Sequence, residues 1–224
     1  MKTSLRESLR AGAQLGLAGL AAAVLLAGTW ALTRDRIAES ERQAQLQALQ
    51  IVLPAERYDN DPIADSVTVQ APAWLGQPAA TVYRARRAGA ASALVLEATA
   101  PDGYSGPIRL LVALDPAGTV LGVRITAHQE TPGLGDDIEA GRSDWILGFQ
   151  GRSLSDPARE RWRVQRDGGH FPQFAGATLT PRAVVTAVRR VLDFAAAHGD
   201  AVRAAEAGAT LSFDDAPIDP PPAR

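Results

Sequence analysis

Residues 108–127 read Ile-Arg-Leu-Leu-Val-Ala-Leu-Asp-Pro-Ala-Gly-Thr-Val-Leu-Gly-Val-Arg-Ile-Thr-Ala. Aliphatic and β-branched residues dominate both ends of this stretch, as they do in the strands of folded proteins. The middle, Pro116-Ala-Gly-Thr, has the composition of a tight turn, because proline presets φ and glycine accepts unusual backbone angles. The stretch therefore predicts an antiparallel hairpin with strands at 108–114 and 120–127.

Similar runs lie upstream of the hairpin, and a helical pattern lies downstream of it. Residues 67–70, 81–85 and 93–98 have the composition or the alternation of strands. Residues 181–197 instead repeat apolar residues at the spacing of an amphipathic helix. Grouped strands followed by a long helix are typical of α+β folds. We therefore predict an α+β domain in which helices pack on an antiparallel sheet.

The composition excludes several classes of site. The 224-residue chain has no cysteine, three histidines and a net charge of −2. Without cysteine this chain cannot form a disulfide, a thiolate metal site or an iron–sulfur cluster. The near-neutral charge does not favour nucleic acid as a partner. We find no catalytic triad, Walker loop or Gly-x-Gly-x-x-Gly motif, so we predict no catalytic residue and no metal site, and redox chemistry would need a cofactor.

Residues 11–33 carry no charge and are rich in alanine, leucine, valine and glycine. As a helix they would extend about 34 Å, enough for a hydrocarbon core about 30 Å thick. Lys2, Arg6 and Arg10 precede the segment, so the positive-inside rule predicts a cytoplasmic N-terminus at 1–10 and an exported main domain. A cleaved signal peptide is the alternative, but the apolar run exceeds the usual length of about 7–15 residues.

The remaining chain divides by composition into three parts. Residues 34–66 predict a stalk, formed by an amphipathic helix at 35–53 and a polar loop. Residues 67–200 predict the folded domain. Residues 201–224 predict a C-terminal segment whose proline- and aspartate-rich end is expected to be disordered.

Residues 174–181 read Phe-Ala-Gly-Ala-Thr-Leu-Thr-Pro and stand directly before the predicted helix. The small-residue turn at 175–177 presents the hydroxyl of Thr178. Thr180 and Pro181 predict the helix start, with the threonine as N-cap and the proline as the first helical residue. Unpaired N–H groups and the helix dipole favour an anion at such a start. The motif therefore predicts a covalent, phosphate-linked modification at Thr178.

Four further segments are candidates for a binding site. The loop 128–135, His-Gln-Glu-Thr-Pro-Gly-Leu-Gly, has glycines that allow its backbone to approach a ligand closely. Glu130 in this loop could act as a base, although we expect it to be an exposed carboxylate. The indole of Trp145 could flank a planar ring or fill the core. The segments 103–107 and 167–174 are by themselves typical only of turns and irregular structure.

The motifs occur in an order that resembles the RnfG family (also called RsxG), the flavin subunit of the bacterial Rnf ion-translocating electron transport complex. The resemblance rests on the segments 128–135, 143–146, 167–169 and 174–185, and the segment 103–108 and the N-terminal anchor fit it too. It implies an FMN-binding domain in which a phosphoester bond joins FMN to Thr178, installed from FAD by a flavin transferase after export. It also implies further cofactor-binding residues, namely Gly176, Ala177, Thr180 and Arg182 near the phosphate, and Glu130, Thr131, Gly133, Leu134 and Trp145 beside the flavin.

The resemblance implies an electron relay in a membrane-bound ferredoxin:NAD⁺ oxidoreductase complex that moves Na⁺ or H⁺. The chain would be a redox subunit without independent activity, anchored in the bacterial inner membrane with its main domain in the periplasm. Its partners would be membrane lipid, the flavin transferase, and the membrane, iron–sulfur and flavin subunits of the complex.

Two alternatives stay open. The sister family NqrC, from the Na⁺-pumping NADH:quinone reductase, shares the Glu-Thr-Pro-Gly-Leu-Gly and Gly-Ala-Thr motifs. The other alternative is a membrane-tethered structural module that carries no flavin. It arises because Pro172 stands six positions before Thr178, where the recognition pattern of the transferase usually has an aspartate.

Overall fold

The computed structural model describes residues 2–217 of the chain. Contacts divide the chain into two compact units, Met1–Gln45 and Leu46–Arg224. The first unit is formed by the greater part of one long helix. The second holds the end of that helix, a six-stranded sheet and two further α-helices.

Helix α1, Lys2–Val52, runs without a break through the predicted membrane segment and the predicted stalk helix. Within the described part of the chain, it is the one helix long and apolar enough to cross a membrane, judged by length and composition. Large apolar side chains in it, such as Leu17 and Leu25, are exposed. A lipid environment would cover such side chains, whereas water would not.

The last turn of α1 belongs to the second unit and covers one face of its sheet. Leu49, Val52 and Leu53 are buried there against side chains of the central strands. A Cβ atom on Gly122 would stand 2.9 Å from the carbonyl oxygen of Val52. Glycine at this position therefore allows the helix end to approach the sheet closely.

The sheet contains six strands in the order β5-β4-β3-β2-β1-β6. The strands β1 to β5 form an antiparallel meander, and β6 pairs in parallel with β1. Their bounds are Ser66–Gln70 for β1, Ala80–Arg87 for β2, Ala90–Ala100 for β3, Ile108–Leu114 for β4, Val120–Ala127 for β5 and Thr210–Ser212 for β6.

The predicted α+β class and the predicted hairpin are both confirmed. The hairpin strands β4 and β5 have the predicted bounds, and the three upstream strands are longer than predicted. Strand β6 was not predicted, because its three residues are too few to show a strand pattern.

Helix α2, Pro72–Leu75, is short, whereas helix α3, Leu179–Ala204, covers the second face of the sheet. Val184, Val188 and Val191 of α3 are fully buried. Their spacing places them on one helix face, which is what an amphipathic helix buries. Burial of each such side chain stabilises the fold by about 1.5–3 kcal/mol.

The predicted start of α3 is wrong by two residues. Thr178 rather than Thr180 is the N-cap residue, and Pro181 is the third helical residue rather than the first. Proline is accepted there because N–H groups of the first turn have no helical partner in any case. The amide of Arg182 closes the turn by donating to the carbonyl oxygen of Thr178 at 3.2 Å. At its other end α3 continues to Ala204, past the predicted end at 197.

The beginning of the predicted disordered tail is held against the helices. Asp215 accepts a hydrogen bond from Nε1 of Trp74 at 3.2 Å, and its second carboxylate oxygen lies 2.9 Å from Nε2 of His198. The prediction of disorder is therefore wrong for this part of the tail, because two polar side chains fix its carboxylate. The remainder, residues 218–224, lies outside the described residues.

Candidate functional site

A cavity of about 600 Å³ lies at the N-terminus of α3. Sites for small molecules commonly have volumes of about 300–1,000 Å³, so the space suits a ligand of cofactor size. Segments that are distant in sequence meet at its walls. The lining residues are Tyr104, Glu130, Thr131, Leu134, Gly135, Arg166, Gly176, Ala177, Thr178, Leu179, Thr180 and Arg182.

Two threonines stand at the start of α3, and their hydroxyl groups differ in what they bind. Thr180 is 1 % exposed, and its hydroxyl donates to Oε2 of Glu130. The expectation that Thr180 caps the helix is therefore wrong, since its hydroxyl is engaged with another loop. Thr178 lines the cavity and occupies the N-cap, yet its side chain makes no capping hydrogen bond in the described structure. Thr178 is thus the threonine whose hydroxyl is available to the cavity.

The turn that carries Thr178 depends on glycine. Gly176 has φ of +80°, in the left-handed region that side chains with a Cβ atom rarely adopt. The amide of Ala177 closes this turn by donating to the carbonyl oxygen of Phe174 at 3.3 Å. The predicted small-residue turn is confirmed, and it presents Thr178 at the cavity wall.

Thr178 lies at a helix N-terminus and shares its cavity with two arginines. The first turn of α3 contains no acidic residue, and a helix dipole places partial positive charge at its N-terminal end. Arg166 and Arg182 also line the cavity. An anion beside Thr178 would therefore meet backbone N–H groups and guanidinium groups together.

Arg182 is fixed at the cavity wall by Asp167. Its Nε and one terminal nitrogen donate to the two carboxylate oxygens at 2.7 and 2.9 Å. The hydrogen bond from Arg182 lowers the pKa of Asp167, and the same bond raises the pKa of Arg182. The pair ties the Asp167-Gly-Gly segment to the first turns of α3.

Glu130 is buried and joins three walls of the cavity. Its side chain is 4 % exposed, which makes the expectation of an exposed carboxylate wrong. Its Oε1 accepts from the backbone N–H of Ser105 at 3.0 Å, and its Oε2 accepts from the hydroxyl of Thr180. Burial of a carboxylate is tolerated when its oxygens accept hydrogen bonds in this way. Glu130 therefore holds the loop 103–107 against α3.

Gly135 leaves the space that Glu130 occupies. A Cβ atom at Gly135 would stand 2.9 Å from Cβ of Glu130 and 3.1 Å from Oγ1 of Thr180. Such distances are shorter than ordinary van der Waals contacts, so the absence of a side chain allows the two walls to meet.

Two of the predicted site residues do not line the cavity. The amide of Gly133 donates to Oδ1 of Asp136 at 2.7 Å. This hydrogen bond lies within the loop and does not face the cavity lining. Nε1 of Trp145 donates to the carbonyl oxygen of Pro172 at 2.8 Å, and its ring packs 5.2 Å from that of Phe174. Trp145 therefore supports the segment that leads to Thr178, and the other predicted residues are brought together as expected.

Four lining residues were not among the predicted site residues, although two of them lie in candidate segments: Tyr104, Gly135, Arg166 and Leu179. Tyr104 is 69 % exposed, and together with the exposed Leu134 and Leu179 it forms an apolar rim. Arg166 and Gly135 complete the set. The turn that contains Tyr104 is held at the cavity by the hydrogen bond from Ser105 to Glu130, which is 25 positions away. A contact between such distant residues produces no local sequence pattern.

Known proteins match most of the chain. Residues 103–193 match the family described as the FMN-binding domain, and residues 1–52 match the RnfG N-terminal region. A Pseudomonas aeruginosa protein, described as the G subunit of an ion-translocating oxidoreductase complex, is 49% identical over 205 residues, which cover 91% of this chain and 96% of the relative. Proteins with the same description from Cronobacter sakazakii and Vibrio cholerae are 54% and 42% identical, covering 71% and 88% of this chain and 76% and 93% of their own lengths.

Proposed function

Because the chain belongs to the RnfG family, whose members are subunits of ion-translocating oxidoreductase complexes, we propose that it relays electrons through FMN attached to Thr178. The attachment is a phosphoester bond between the threonine oxygen and the FMN phosphate. The complex is a ferredoxin:NAD⁺ oxidoreductase that moves Na⁺ or H⁺. The match of residues 1–52 to the RnfG N-terminal region favours this role over that of an NqrC-type subunit.

The residues of the cavity fit FMN, which joins a phosphate to a planar and largely apolar ring. Thr178, the first turn of α3 and Arg182 would hold the phosphate end, where positive charge is concentrated. The apolar rim of Tyr104, Leu134 and Leu179 would contact the ring. Gly176, Ala177 and Thr131 complete the walls, and Glu130 and Thr180 hold them together.

A single observation carries the attachment site. Thr178 occupies the N-cap of a 26-residue helix, and its side chain makes no capping hydrogen bond in the described structure. A threonine that caps a helix uses its hydroxyl oxygen to accept from a backbone N–H of the first turn. The neighbouring Thr180 has its hydroxyl committed to Glu130. Thr178 therefore combines an available oxygen with the local field that stabilises a phosphate.

When bound, FMN supplies electron transfer in two-electron and one-electron steps, which the side chains around it do not perform alone. The chain contributes binding, orientation and a fixed electrostatic environment. The ion pair with Asp167 fixes the position of the Arg182 guanidinium at the cavity wall. Glu130 fixes the position of the loop 103–107 in that wall. A covalent link prevents loss of the cofactor on the exported side of the membrane.

The same proposal places the N-terminus in the cytoplasm and the cavity in the periplasm. The positive residues Lys2, Arg6 and Arg10 before the apolar segment support this orientation. Residues 11–33 carry no charged side chain to form an ion path, so the ion crosses through other subunits. A flavin transferase loads the exported domain, and the membrane, iron–sulfur and flavin subunits of the complex exchange electrons with it.

The attachment is tested by mass spectrometry of full-length chain made in cells that have the transferase. We expect the mass of the chain plus one FMN, with the modification on the peptide that contains Thr178. Thr178→Ala should abolish the flavin fluorescence of the denatured band, while Thr186→Val, which changes a threonine of α3 outside the cavity lining, is the matched control and should keep it. Covalent flavin in Thr178→Ala would show that the site is misassigned.

A structural module without flavin remains the second candidate, because Pro172 replaces the aspartate of the usual recognition pattern. The same mass spectrum separates the two functions. An unmodified chain from cells whose transferase loads another substrate would favour the structural role.

A further inference from the structure

Two arginines line the proposed flavin cavity, and their guanidinium groups differ in what they bind. Arg182 donates through Nε and one terminal nitrogen to the two carboxylate oxygens of Asp167. Arg166 is exposed, and its guanidinium makes no hydrogen bond or ion pair within the part of the chain that the structure describes. Of the two lining arginines, Arg166 is therefore the one whose whole set of donors is available to a ligand.

The backbone of Arg166 is held beside the segment that carries Thr178. Arg166 lies in the 3₁₀ turn Gln165–Asp167, and its N–H donates to Oε1 of Gln173 at 3.1 Å. Gln173 belongs to the segment that leads to Thr178. The exposed side chain of Arg166 therefore starts from a fixed point and lines the same cavity as the Thr178 hydroxyl.

The charges at the cavity make Arg166 important for an anion. Among the lining residues and their ion-pair partners, two carboxylates, Glu130 and Asp167, stand against two guanidinium groups, Arg166 and Arg182. Removal of Arg166 would leave this set with a net negative charge, which repels a phosphate at short range. Arg163 also lowers the pKa of Asp167 through its positive charge, but Arg163 does not line the cavity.

We infer that Arg166 binds the phosphate of the flavin and makes the site selective for FMN over riboflavin. This inference rests on the proposed function and adds a residue to it. A guanidinium can donate two parallel hydrogen bonds to two phosphate oxygens, and Arg166 has both donors available for this geometry. Arg182 has already used two of its nitrogens on Asp167, so it contributes less to the phosphate.

Free FMN and riboflavin are matched probes, because the two flavins differ by the phosphate alone. Each is titrated into full-length Thr178→Ala chain in detergent, where no covalent bond can form at that position, and the Kd is obtained from flavin fluorescence. We expect Arg166→Gln in this background to weaken FMN binding about 10-fold and to change riboflavin binding by about 2-fold or less. Equal losses for the two flavins, or no loss for FMN, would overturn the assignment of Arg166.

Arg163→Gln is the matched control, because Arg163 is an exposed arginine near Asp167 that does not line the cavity. Both flavins should bind this variant as they bind the Thr178→Ala background. A loss of FMN affinity as large as that in Arg166→Gln would show that distant positive charge, rather than contact with Arg166, is responsible.

Arg166→Lys separates charge from geometry. Lysine keeps the positive charge but lacks the planar pair of donors, so it should recover part of the FMN affinity that glutamine loses. Affinity for FMN no better than in Arg166→Gln would contradict a contact between a cation at this position and the phosphate.

The ³¹P signal of chain that carries FMN decides the assignment if the free flavins bind too weakly to measure. Arg166→Gln should move this signal toward its position in the denatured protein, whereas Arg163→Gln should leave it in place. An unmoved signal in Arg166→Gln would overturn the inference and leave the attachment site intact. Failure of the proposed function gives a different result, namely a natural chain without flavin on Thr178.

Discussion

Arg182 and Asp167 form a two-point ion pair beside Thr178, with nitrogen–oxygen distances of 2.7 and 2.9 Å. The pair connects the first turns of α3 to a loop that precedes it by 15 positions. The pair therefore holds both sides of the turn at 175–177, which carries Thr178. The positive group that an FMN phosphate would meet is part of the same connection.

Replacement of Asp167 by asparagine should destabilise the protein in a pH-dependent way. Pairing lowers the pKa of Asp167 in the folded state below its unfolded value of about 3.9. The pair therefore stabilises the fold fully above that value and loses its effect as the pH falls through the lowered pKa. Because both side chains are partly exposed, we expect Asp167→Asn to cost about 1 kcal/mol or less at pH 7.

The comparison of Tm for the natural chain and Asp167→Asn from pH 7 to strongly acidic solution checks this. The two curves should converge at the acid end. A constant separation at all pH values would show that the ion pair is not the source of the difference.

Replacement of Glu130 by alanine should destabilise the cavity walls strongly. The variant leaves the N–H of Ser105 and the hydroxyl of Thr180 without their acceptor. The buried hydroxyl of Thr180 left unpaired costs about 1–3 kcal/mol, and the more exposed N–H of Ser105 adds about 1 kcal/mol, so a total loss of about 2–4 kcal/mol is expected in denaturant unfolding. Glu139→Ala, which removes a more exposed partner of His128, is the control and should cost about 1 kcal/mol or less. Equal losses in the two variants would contradict the role assigned to Glu130.

Substitution of Gly135 by alanine should disturb the site by crowding alone. The added Cβ would press on Glu130 and on Oγ1 of Thr180. We expect a loss of about 1–3 kcal/mol and a lower fraction of bound flavin. Gly141→Ala is the matched control, because the added Cβ atom would meet no other atom within 4 Å there. A neutral Gly135→Ala, measured by unfolding and flavin fluorescence, would mean that the walls yield more easily than the distances suggest.

Replacement of Pro172 by aspartate should raise the fraction of chains that carry FMN. The ring of Pro172 is exposed, and the bond from Trp145 goes to its backbone carbonyl, so the substitution keeps that bond. If a flavin transferase loads the chain as proposed, the new carboxylate supplies the aspartate of the expected recognition pattern. The ratio of modified to unmodified mass measures the effect, and Pro172→Asn serves as the uncharged control. An equal ratio in all three proteins would show that this position does not limit loading.

The sequence was sufficient where local chemistry decides the structure. Hairpin strands β4 and β5 follow from their aliphatic and β-branched residues and the turn between them, and the turn before Thr178 follows from its small residues. The cavity could also be predicted in large part, since most of its residues belong to two short motifs.

Long-range contacts account for what the sequence did not reveal. Thr180 looked like a cap because its partner, Glu130, is distant in the chain. Glu130 looked exposed because carboxylates usually are, and only the folded walls supply its donors. Strand β6 is defined by its pairing with β1 rather than by its own residues. The packing of Trp145 under Phe174 could not be distinguished from a contact with a ligand.

The hydrogen bond between Thr180 and Glu130 also implies that folding precedes cofactor loading. The two residues are 50 positions apart, so the pocket around Thr178 does not exist until the chain has folded. A nascent or unfolded chain presents Thr178 without these surroundings. Cofactor loading at Thr178 would then come after translocation and folding, and a misfolded chain would fail to mature.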